Sequence, residues 1–232
     1  MLKRKDKILA VITARGGSKG LVKKNILDLA GIPLIAWTIK AAQQSKYISK
    51  VVLSSDDDEI IDIAKRFNCE VPFRRPPELA TDDASSVDVV CHALENVPGY
   101  KYVIVLQPTS PLRTAVDIDA AFELMISNKA QSCVSVCEAA KTPYWMYHLG
   151  PDKTLNRLLP LPDGGHRRQA LPPTYELNGA MYILNVDLLS RYRNLIPENT
   201  IAYIMDRQVS IDIDSLWDFK ESKAYLENKL VD

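Results

Sequence analysis

Short apolar runs alternate with segments of helical periodicity along most of this chain. Residues 8–12 form one such run, and between the runs apolar side chains return at helical spacing, as at Leu34, Trp37 and Ala41. The pattern predicts strands at 8–12, 50–55, 102–106 and 133–136 and helices at 34–41, 59–66, 85–95 and 116–127. Because this alternation is typical of βαβ units, we expect an α/β fold with three layers around a mostly parallel sheet.

Polar segments follow the predicted strands. Three of them are 15–25, 54–56 and 107–113, and the fourth holds Asp212 and Asp214 after 209–211, which we predict to be extended. Ligands of parallel sheets bind at the carboxyl ends of the strands. We therefore expect these four segments to converge on one edge of the sheet.

The first polar segment is a loop rich in glycine and positive charge. It carries Arg15, Lys19, Lys23 and Lys24 around the glycines of residues 16–20. Glycine lets backbone amides approach an anion closely, so the loop is a candidate polyphosphate site. It matches neither the Walker A motif nor the dinucleotide fingerprint, in which a glycine stands where Arg15 stands here. The alternative is a surface turn with solvated lysines.

The last polar segment places two carboxylates two residues apart. On an extended segment, Asp212 and Asp214 point to the same side and repel each other. A cation between them relieves the repulsion, and Mg²⁺ prefers oxygen ligands and phosphate. The alternatives are a solvated strand face or capping of the following helix by Asp214.

Composition excludes several functional classes. The 232 residues carry 29 basic and 29 acidic side chains, so no overall field recruits nucleic acid or an anionic membrane. The apolar run after the basic N-terminus is too short for a membrane span or a secretion signal, which favours the cytoplasm. The four cysteines lack metal-ligand spacing and are expected to be buried thiols. An anion site in this chain must therefore be local.

A cationic loop together with a distant pair of aspartates favours one reaction class. The loop suits a triphosphate, and the carboxylates suit a metal ion that polarises the α-phosphate. The simplest reaction is transfer of a nucleotidyl group from a Mg²⁺-bound nucleoside triphosphate to an acceptor hydroxyl. Such transfer depends on positioning and electrostatics and needs no nucleophilic side chain.

Seven ordered motifs resemble those of the acylneuraminate cytidylyltransferases, also called CMP-sialic acid synthetases. They are 14–20 with 24–25, 75–80, 85–86, 107–113, 168–172, 178–182 and 211–214, and the resemblance runs from about residue 8 to residue 219. It implies a nucleotide-diphospho-sugar-transferase-like (Rossmann-like) fold. It also implies that a nine-carbon 2-keto sugar acid of sialic, legionaminic or pseudaminic type reacts with CTP, giving the CMP-sugar and pyrophosphate.

The resemblance also assigns roles to individual residues. Arg15, Lys24 and Asp214 would be catalytic; Arg15, Gly17, Ser18, Lys24, Asn25, Arg75 and Ser86 would bind the nucleotide; Gln107, Arg168, Asn178 and Tyr182 would bind the sugar acid; and Asp212 and Asp214 would coordinate Mg²⁺. One departure is Val22, which stands where the family often has proline.

The resemblance further implies a single domain over residues 1–232, with an inserted lobe at about 140–175 that pairs two subunits. The apolar aromatic group at 143–147 suits such an interface, so we expect a homodimer. Ordinary packing beneath a loop is the alternative.

Two other functions compete with this interpretation. One is a 3-deoxy-manno-octulosonate cytidylyltransferase, whose glycine and arginine loop differs from residues 15–20. The other is a regulatory protein that binds the nucleotide without turnover, which would have little reason to keep the repelling pair of Asp212 and Asp214.

Overall fold

The computed structural model describes residues 7–17, 20–162 and 167–229. Its strands are β1 Ile8–Thr13, β2 Asp28–Leu29, β3 Ile32–Pro33, β4 Ile48–Ser54, β5 Tyr102–Leu106, β6 Ser132–Glu138, β7 Tyr147–Leu149, β8 Leu155–Arg157, β9 Tyr175–Asn185 and β10 Ile201–Ile204. Its α-helices are α1 Leu34–Gln44, α2 Asp58–Arg66, α3 Ser86–Asn96, α4 Ala115–Ser127, α5 Val186–Tyr192 and α6 Leu216–Lys229.

The central sheet has six strands in the order β10-β6-β9-β5-β1-β4. β1 pairs in parallel with β4 and β5, and β10 pairs in parallel with β6. β9 runs antiparallel to both of its neighbours. The expected mostly parallel sheet is therefore confirmed, with one reversed strand at its centre.

Apolar residues cover both faces of this sheet. Along β1, Ile8, Ala10 and Ile12 belong to a core cluster that includes residues of α1, α2 and α4. Leu9 and Val11 belong to a second cluster, with residues of α3 and α5. Successive side chains of a strand point to opposite faces, so the two clusters are the two sides of a three-layer α/β domain.

A third cluster attaches the last helix. Leu226 of α6 packs with Leu29, Leu34 and Leu112, and Ile213 is fully buried in the same group. This packing holds the segment before α6 against the loops that follow β1 and β5.

The expectation of an extended segment at 209–211 is wrong. A 3₁₀ turn covers Arg207–Val209, and Asp206 caps it by accepting a hydrogen bond from the Gln208 amide at 2.8 Å. The Ser210 hydroxyl donates to the Asp206 carbonyl oxygen at 2.8 Å. Local hydrogen bonding by Asp206 and Ser210 outweighs the apolar pattern here.

A small antiparallel hairpin of β7 and β8 projects apart from the main sheet. Leu149 and Leu155 face each other across it, and both are exposed. The assignment of 140–175 as a dimerisation lobe remains a proposal. Across the described ranges, no helix combines the length and the apolarity that a bilayer crossing requires.

Candidate functional site

A cleft of about 280 Å³ opens where β1 and β5 end. It is lined by Thr13, Arg15, Gly20, Lys24, Asn25, Gln107, Pro108, Thr109 and Asp214. The glycine-rich loop, the segment after β5 and one of the two aspartates therefore share one surface.

Lys24 joins the loop to the acidic segment. Its Nζ donates hydrogen bonds to the Ile213 carbonyl oxygen at 2.6 Å and to Asp214 Oδ1 at 3.0 Å. The Lys24 side chain is only 13% exposed, whereas that of Asp214 is 80% exposed. The ammonium is thus held at a defined position beside an accessible carboxylate.

Two glycines allow the loop to pack tightly. A Cβ at Gly16 would lie 2.5 Å from Asp57 Oδ2, and a Cβ at Gly20 would lie 2.3 Å from the Asp214 carbonyl oxygen. Gly17 has no such neighbour within 4 Å. Ser18, which sequence analysis places at the nucleotide, lies outside the described residues.

Arg15 and Asn25 hold each other within the loop. The Asn25 side-chain amide donates to the Arg15 carbonyl oxygen at 3.1 Å, and Asn25 is buried. The Arg15 guanidinium forms an ion pair with Asp82 at 2.6 Å. Ser86, the exposed first residue of α3, follows four residues after Asp82.

Arg75 is buried next to the same loop. Its Nε donates to the Ser54 hydroxyl at 3.0 Å and its Nη2 to the Ser54 carbonyl oxygen at 2.7 Å. Burial lowers the pKa of the Arg75 guanidinium to about 10; the Asp56 carboxylate opposes this change, and the positive charge of Arg15 adds to it. Arg75 therefore adds a positive charge where β4 ends.

Asp212 lies beside Gln107. A Cβ at Gly179 would stand 3.1 Å from Gln107 Oε1 and 3.3 Å from Asp212 Oδ2. Desolvation raises the pKa of the Asp212 carboxyl; a hydrogen bond from the Thr109 side chain lowers it, and the negative charge of Asp214 raises it. Because Asp212 lies here, the structure brings all four polar segments of the sequence to one edge of the central sheet.

Tyr182 and Asn178 of β9 differ in their surroundings. Burial raises the pKa of the Tyr182 phenol, and the charge of Asp212 raises it further. The Asn178 amide is buried and bonded within the protein, because Nδ2 donates to the Ser210 hydroxyl at 2.9 Å and Oδ1 accepts from the Ser135 hydroxyl at 2.6 Å. The side-chain amide of Asn178 is thus occupied by contacts within the protein, and its contact with a substrate stays a prediction.

Arg168 is not brought to this cleft within the chain. Its Nη2 contacts Glu138 Oε1 at 3.3 Å and the Ala139 carbonyl oxygen at 3.4 Å. It lines a different cleft of about 250 Å³, together with residues 171–174.

Two groups that shape the site, Thr109 and Asp218, were not among the predicted site residues. Thr109 holds Asp212 through its side chain and accepts a hydrogen bond from the Ile213 amide at 2.8 Å through its carbonyl oxygen. Asp218 holds the amides of Asp214 and Ser215. The spacing of Ser215 and Asp218 is a capping-box signal visible in the sequence, whereas nothing in the sequence singles out Thr109.

The donor set fits a magnesium ion carried by a phosphate ligand. Among the described residues, no group of three or more histidine, cysteine, aspartate or glutamate side chains could hold a metal. Mg²⁺ is usually bound by one or two carboxylates plus substrate phosphates rather than by an all-protein cage. Asp212 and Asp214 match that requirement.

Comparison with known proteins agrees with this geometry. A family model described as Cytidylyltransferase matches residues 9–147. The chain is 37% identical over 217 residues to an N-acylneuraminate cytidylyltransferase of Escherichia coli O18:K1:H7, covering 93% of this chain and 51% of that protein. It therefore spans about half the length of that relative. It is 32% identical over 224 residues to a pseudaminic acid cytidylyltransferase of Campylobacter jejuni, covering 94% and 95% of the two chains.

A solved structure supports the fold. The structure of CMP:2-keto-3-deoxy-manno-octonic acid synthetase complexed with CTP matches with a TM-score of 0.73 at 16% identity, over 96% of this chain and 99% of that one. The expected nucleotide-sugar-transferase-like architecture is confirmed by this likeness, which concerns the fold alone.

Proposed function

This chain belongs to the cytidylyltransferase family, and on that premise we propose that it transfers CMP from CTP to a nine-carbon 2-keto sugar acid and releases pyrophosphate. The relatives named above act on sialic acid and pseudaminic acid, according to their names. Their identity of 32–37% over most of this chain supports an acceptor of the same class.

One observation carries the proposal. Lys24 of the glycine-rich loop bonds both Ile213 and Asp214, which lie 189 and 190 residues later in the chain. A cationic loop and a carboxylate pair at one cleft are the parts that a metal-bound triphosphate requires.

Arg15 and Lys24 neutralise the charge of the triphosphate and of the departing pyrophosphate. The anomeric hydroxyl oxygen of the sugar acid forms a new bond to the α-phosphorus, and its proton passes to solvent. The bond from the α-phosphorus to the oxygen that bridges the α- and β-phosphates breaks, and that oxygen leaves with the pyrophosphate. Asp212 and Asp214 would hold Mg²⁺, which when bound polarises the α-phosphate and lowers the pKa of the attacking hydroxyl. As the resemblance implies, Gly17, Ser18, Asn25, Arg75 and Ser86 would bind the remainder of the nucleotide.

Gln107 and Tyr182 are assigned to the acceptor, since Gln107 lies close to Asp212 around Gly179 and the charge of Asp212 raises the pKa of the Tyr182 phenol. Asn178 Oδ1 accepts a hydrogen bond from the Ala180 amide at 3.2 Å and so supports the backbone of β9 near Tyr182. Arg168 suits the sugar carboxylate, since guanidinium binds carboxylate through two parallel hydrogen bonds. Its position near Glu138 requires the acceptor site to extend toward the end of β6.

A homodimer is part of this proposal. Around the β7–β8 hairpin, the described residues expose a run of large apolar side chains: Trp145, Met146, Tyr147, Leu149, Leu155, Leu158 and Leu159. Exposed apolar side chains concentrated in one segment are typical of protein interfaces.

The acceptor has one specific rival. The solved relative by fold is named as a synthetase for an eight-carbon sugar acid, 2-keto-3-deoxy-manno-octonic acid. At 16% identity that likeness does not extend to the substrate.

A substrate panel tests the proposal. Wild-type protein is incubated with CTP, Mg²⁺ and, in turn, sialic, legionaminic, pseudaminic and 3-deoxy-manno-octulosonic acids, and pyrophosphate release is followed. We expect release with a nine-carbon acid, and a loss of at least about 100-fold in Asp214→Asn, because a charge that stabilises the transition state is removed. Release only with the eight-carbon acid would establish the rival, and CTP binding without release would establish a regulatory protein.

A further inference from the structure

A carboxylate with no part in the proposed chemistry holds the turn that carries Asp214. Asp218 Oδ2 accepts hydrogen bonds from the Ser215 amide at 2.7 Å and from the Ser215 hydroxyl at 2.8 Å. The Asp218 amide donates back to the Ser215 hydroxyl at 3.4 Å. This reciprocal pattern is a capping box at the start of α6.

The capping oxygen of α6, Asp218 Oδ2, accepts one more hydrogen bond than the corresponding oxygen of α4. In the capping box of α4, Asp117 Oδ2 accepts from the amide of the N-cap Thr114 at 2.8 Å and from its hydroxyl at 2.6 Å. Asp218 Oδ2 accepts in addition from the amide of Asp214, one residue before its N-cap, at 3.1 Å. The bond to Asp214 is more than helix capping requires.

Asp214 depends on its backbone for its direction. Its side chain is 80% exposed, so packing does not fix the carboxylate. Four contacts hold the backbone around it instead: the Ile213 amide donates to the Thr109 carbonyl oxygen, Lys24 Nζ donates to the Ile213 carbonyl oxygen, Gly20 packs on the Asp214 carbonyl oxygen, and Asp218 accepts from the Asp214 amide. Of these four contacts, those of Lys24 and Asp218 are made by side chains, and Lys24 already has a part in the proposed chemistry.

We propose that Asp218 is a positioning residue, which aims the Asp214 carboxylate and the Ile213 carbonyl at the phosphate loop by holding the Asp214 amide. The inference rests on the proposed function, because it concerns the organisation of the same site. Groups that orient metal ligands typically change metal affinity or activity by about 10- to 100-fold when they are removed.

Metal binding tests this proposal without turnover. Mn²⁺, a paramagnetic substitute for Mg²⁺, is titrated into protein saturated with CTP and without sugar acid, and free Mn²⁺ is followed by electron paramagnetic resonance. The variants are Asp218→Ala and Asp218→Asn. The matched control is Asn185→Ala, because Asn185 caps α5 by accepting from the amides of Asp187 and Leu188. Asn185 pairs with Tyr102 at the start of β5, so it lies at the sheet edge opposite the cleft.

Both alanine variants are expected to lower the Tm by about 2–4 °C, as loss of a helix cap does in a chain of this size. Only Asp218→Ala is expected to raise the Kd for Mn²⁺, by about 10-fold or more. Asp218→Asn retains an acceptor oxygen, so its Kd is expected to stay within about 3-fold of wild type.

An unchanged Kd in Asp218→Ala overturns the proposal. So does an Asp218→Asn variant as weak as Asp218→Ala, since that result means that charge matters and not the bond to Asp214. If Asp218→Ala does not fold, the proposal is tested with Asp218→Asn and Ser215→Ala. Ser215→Ala loses the cap hydroxyl but keeps the bond between Asp218 and the Asp214 amide. We expect wild-type affinity in Ser215→Ala, and a 10-fold loss there would contradict the proposal. Failure of all sugar acids in the substrate panel rejects the proposed function and leaves the ratio of Mn²⁺ affinities readable.

Discussion

Lys23 and Lys24 are adjacent in the chain, yet their side chains have different partners. Lys23 has a left-handed backbone conformation, with φ of 55°, and its ammonium pairs with Glu59 of α2 at 2.6 Å. Lys24 turns into the cleft toward Asp214. The cluster of positive charges alone could not separate the lysine that anchors the loop from the one that lines the site, and only the resemblance assigned Lys24 to the nucleotide.

These two lysines form a matched pair for mutation. We expect Lys24→Met to lower kcat/KM for CTP by about 100-fold, because a charge that stabilises the transition state is lost while the length of the side chain is kept. Lys23→Met removes an exposed ion pair, whose contribution to stability is about 0–1 kcal/mol, and should leave kcat/KM within about 3-fold of wild type. Steady-state kinetics with varied CTP checks both values. Equal losses of kcat/KM in the two variants would contradict the specific role of Lys24 at the triphosphate.

Buried amides mark the limit of sequence interpretation at this scale. Asn25 and Asn178 were assigned to ligands through the resemblance, and in the structure both amides are bonded within the protein. A sequence does not distinguish an amide side chain that holds a loop from one that contacts a substrate, because both kinds of residue occur near glycines in the same motifs. The glycine-rich loop and the pair of aspartates could be located because their charges need partners.

At the scale of elements, periodicity located four of the six strands of the central sheet and four of the six α-helices in the described ranges, and capping determined where the helices begin. The predicted strand at 102–106 coincides with β5, and the predicted helix at 116–127 begins one residue late. β9 and β10 were not predicted as strands. The reversed direction of β9 depends on its pairing with β5 and β6, which local pattern does not show. The prediction of an extended conformation at 209–211 was wrong because of local interactions: hydrogen bonds of Asp206 and Ser210 form a turn there.

The capping box of α4 gives an element-scale prediction. The Thr114 hydroxyl accepts from the Asp117 amide and donates to Asp117 Oδ2. We expect Thr114→Ala to lower the free energy of unfolding by about 1 kcal/mol and the Tm by about 2–4 °C. Because Thr114 does not line the nucleotide cleft, kcat should not change.

Ser127→Ala is the control for this variant. Ser127 ends the same helix and donates only to the Leu124 carbonyl oxygen among the contacts in the described part of the helix. Thermal unfolding followed by circular dichroism should separate the two variants. Equal Tm values would contradict the assigned role of Thr114.

At the scale of the whole molecule, the formal charges balance, and the candidate site depends on positive side chains that the fold brings together locally. Arg15, Lys24 and Arg75 gather at one edge of the sheet although the chain has no net charge. The convergence could be anticipated from the sequence because parallel strands bring their carboxyl ends together. The dimer could not be tested in the same way, since an interface depends on a second copy.

The oligomeric state gives a prediction at this scale. Light scattering at micromolar concentration is expected to give twice the 26.0 kDa of the chain. Replacing the exposed Leu149 and Leu155 by aspartate should yield a folded monomer, because both side chains are exposed in the single chain. As a matched control, Val116→Asp changes an exposed apolar residue on α4 and should remain dimeric. A monomeric wild-type protein would remove the homodimer from the account.

The most direct measurement is a crystal structure of the protein with CTP and Mg²⁺. The account predicts a triphosphate between Arg15 and Lys24, and a metal ion about 2.0–2.1 Å from carboxylate oxygens of Asp212 or Asp214. A triphosphate bound away from this cleft, or a metal ion held without either aspartate, would contradict it.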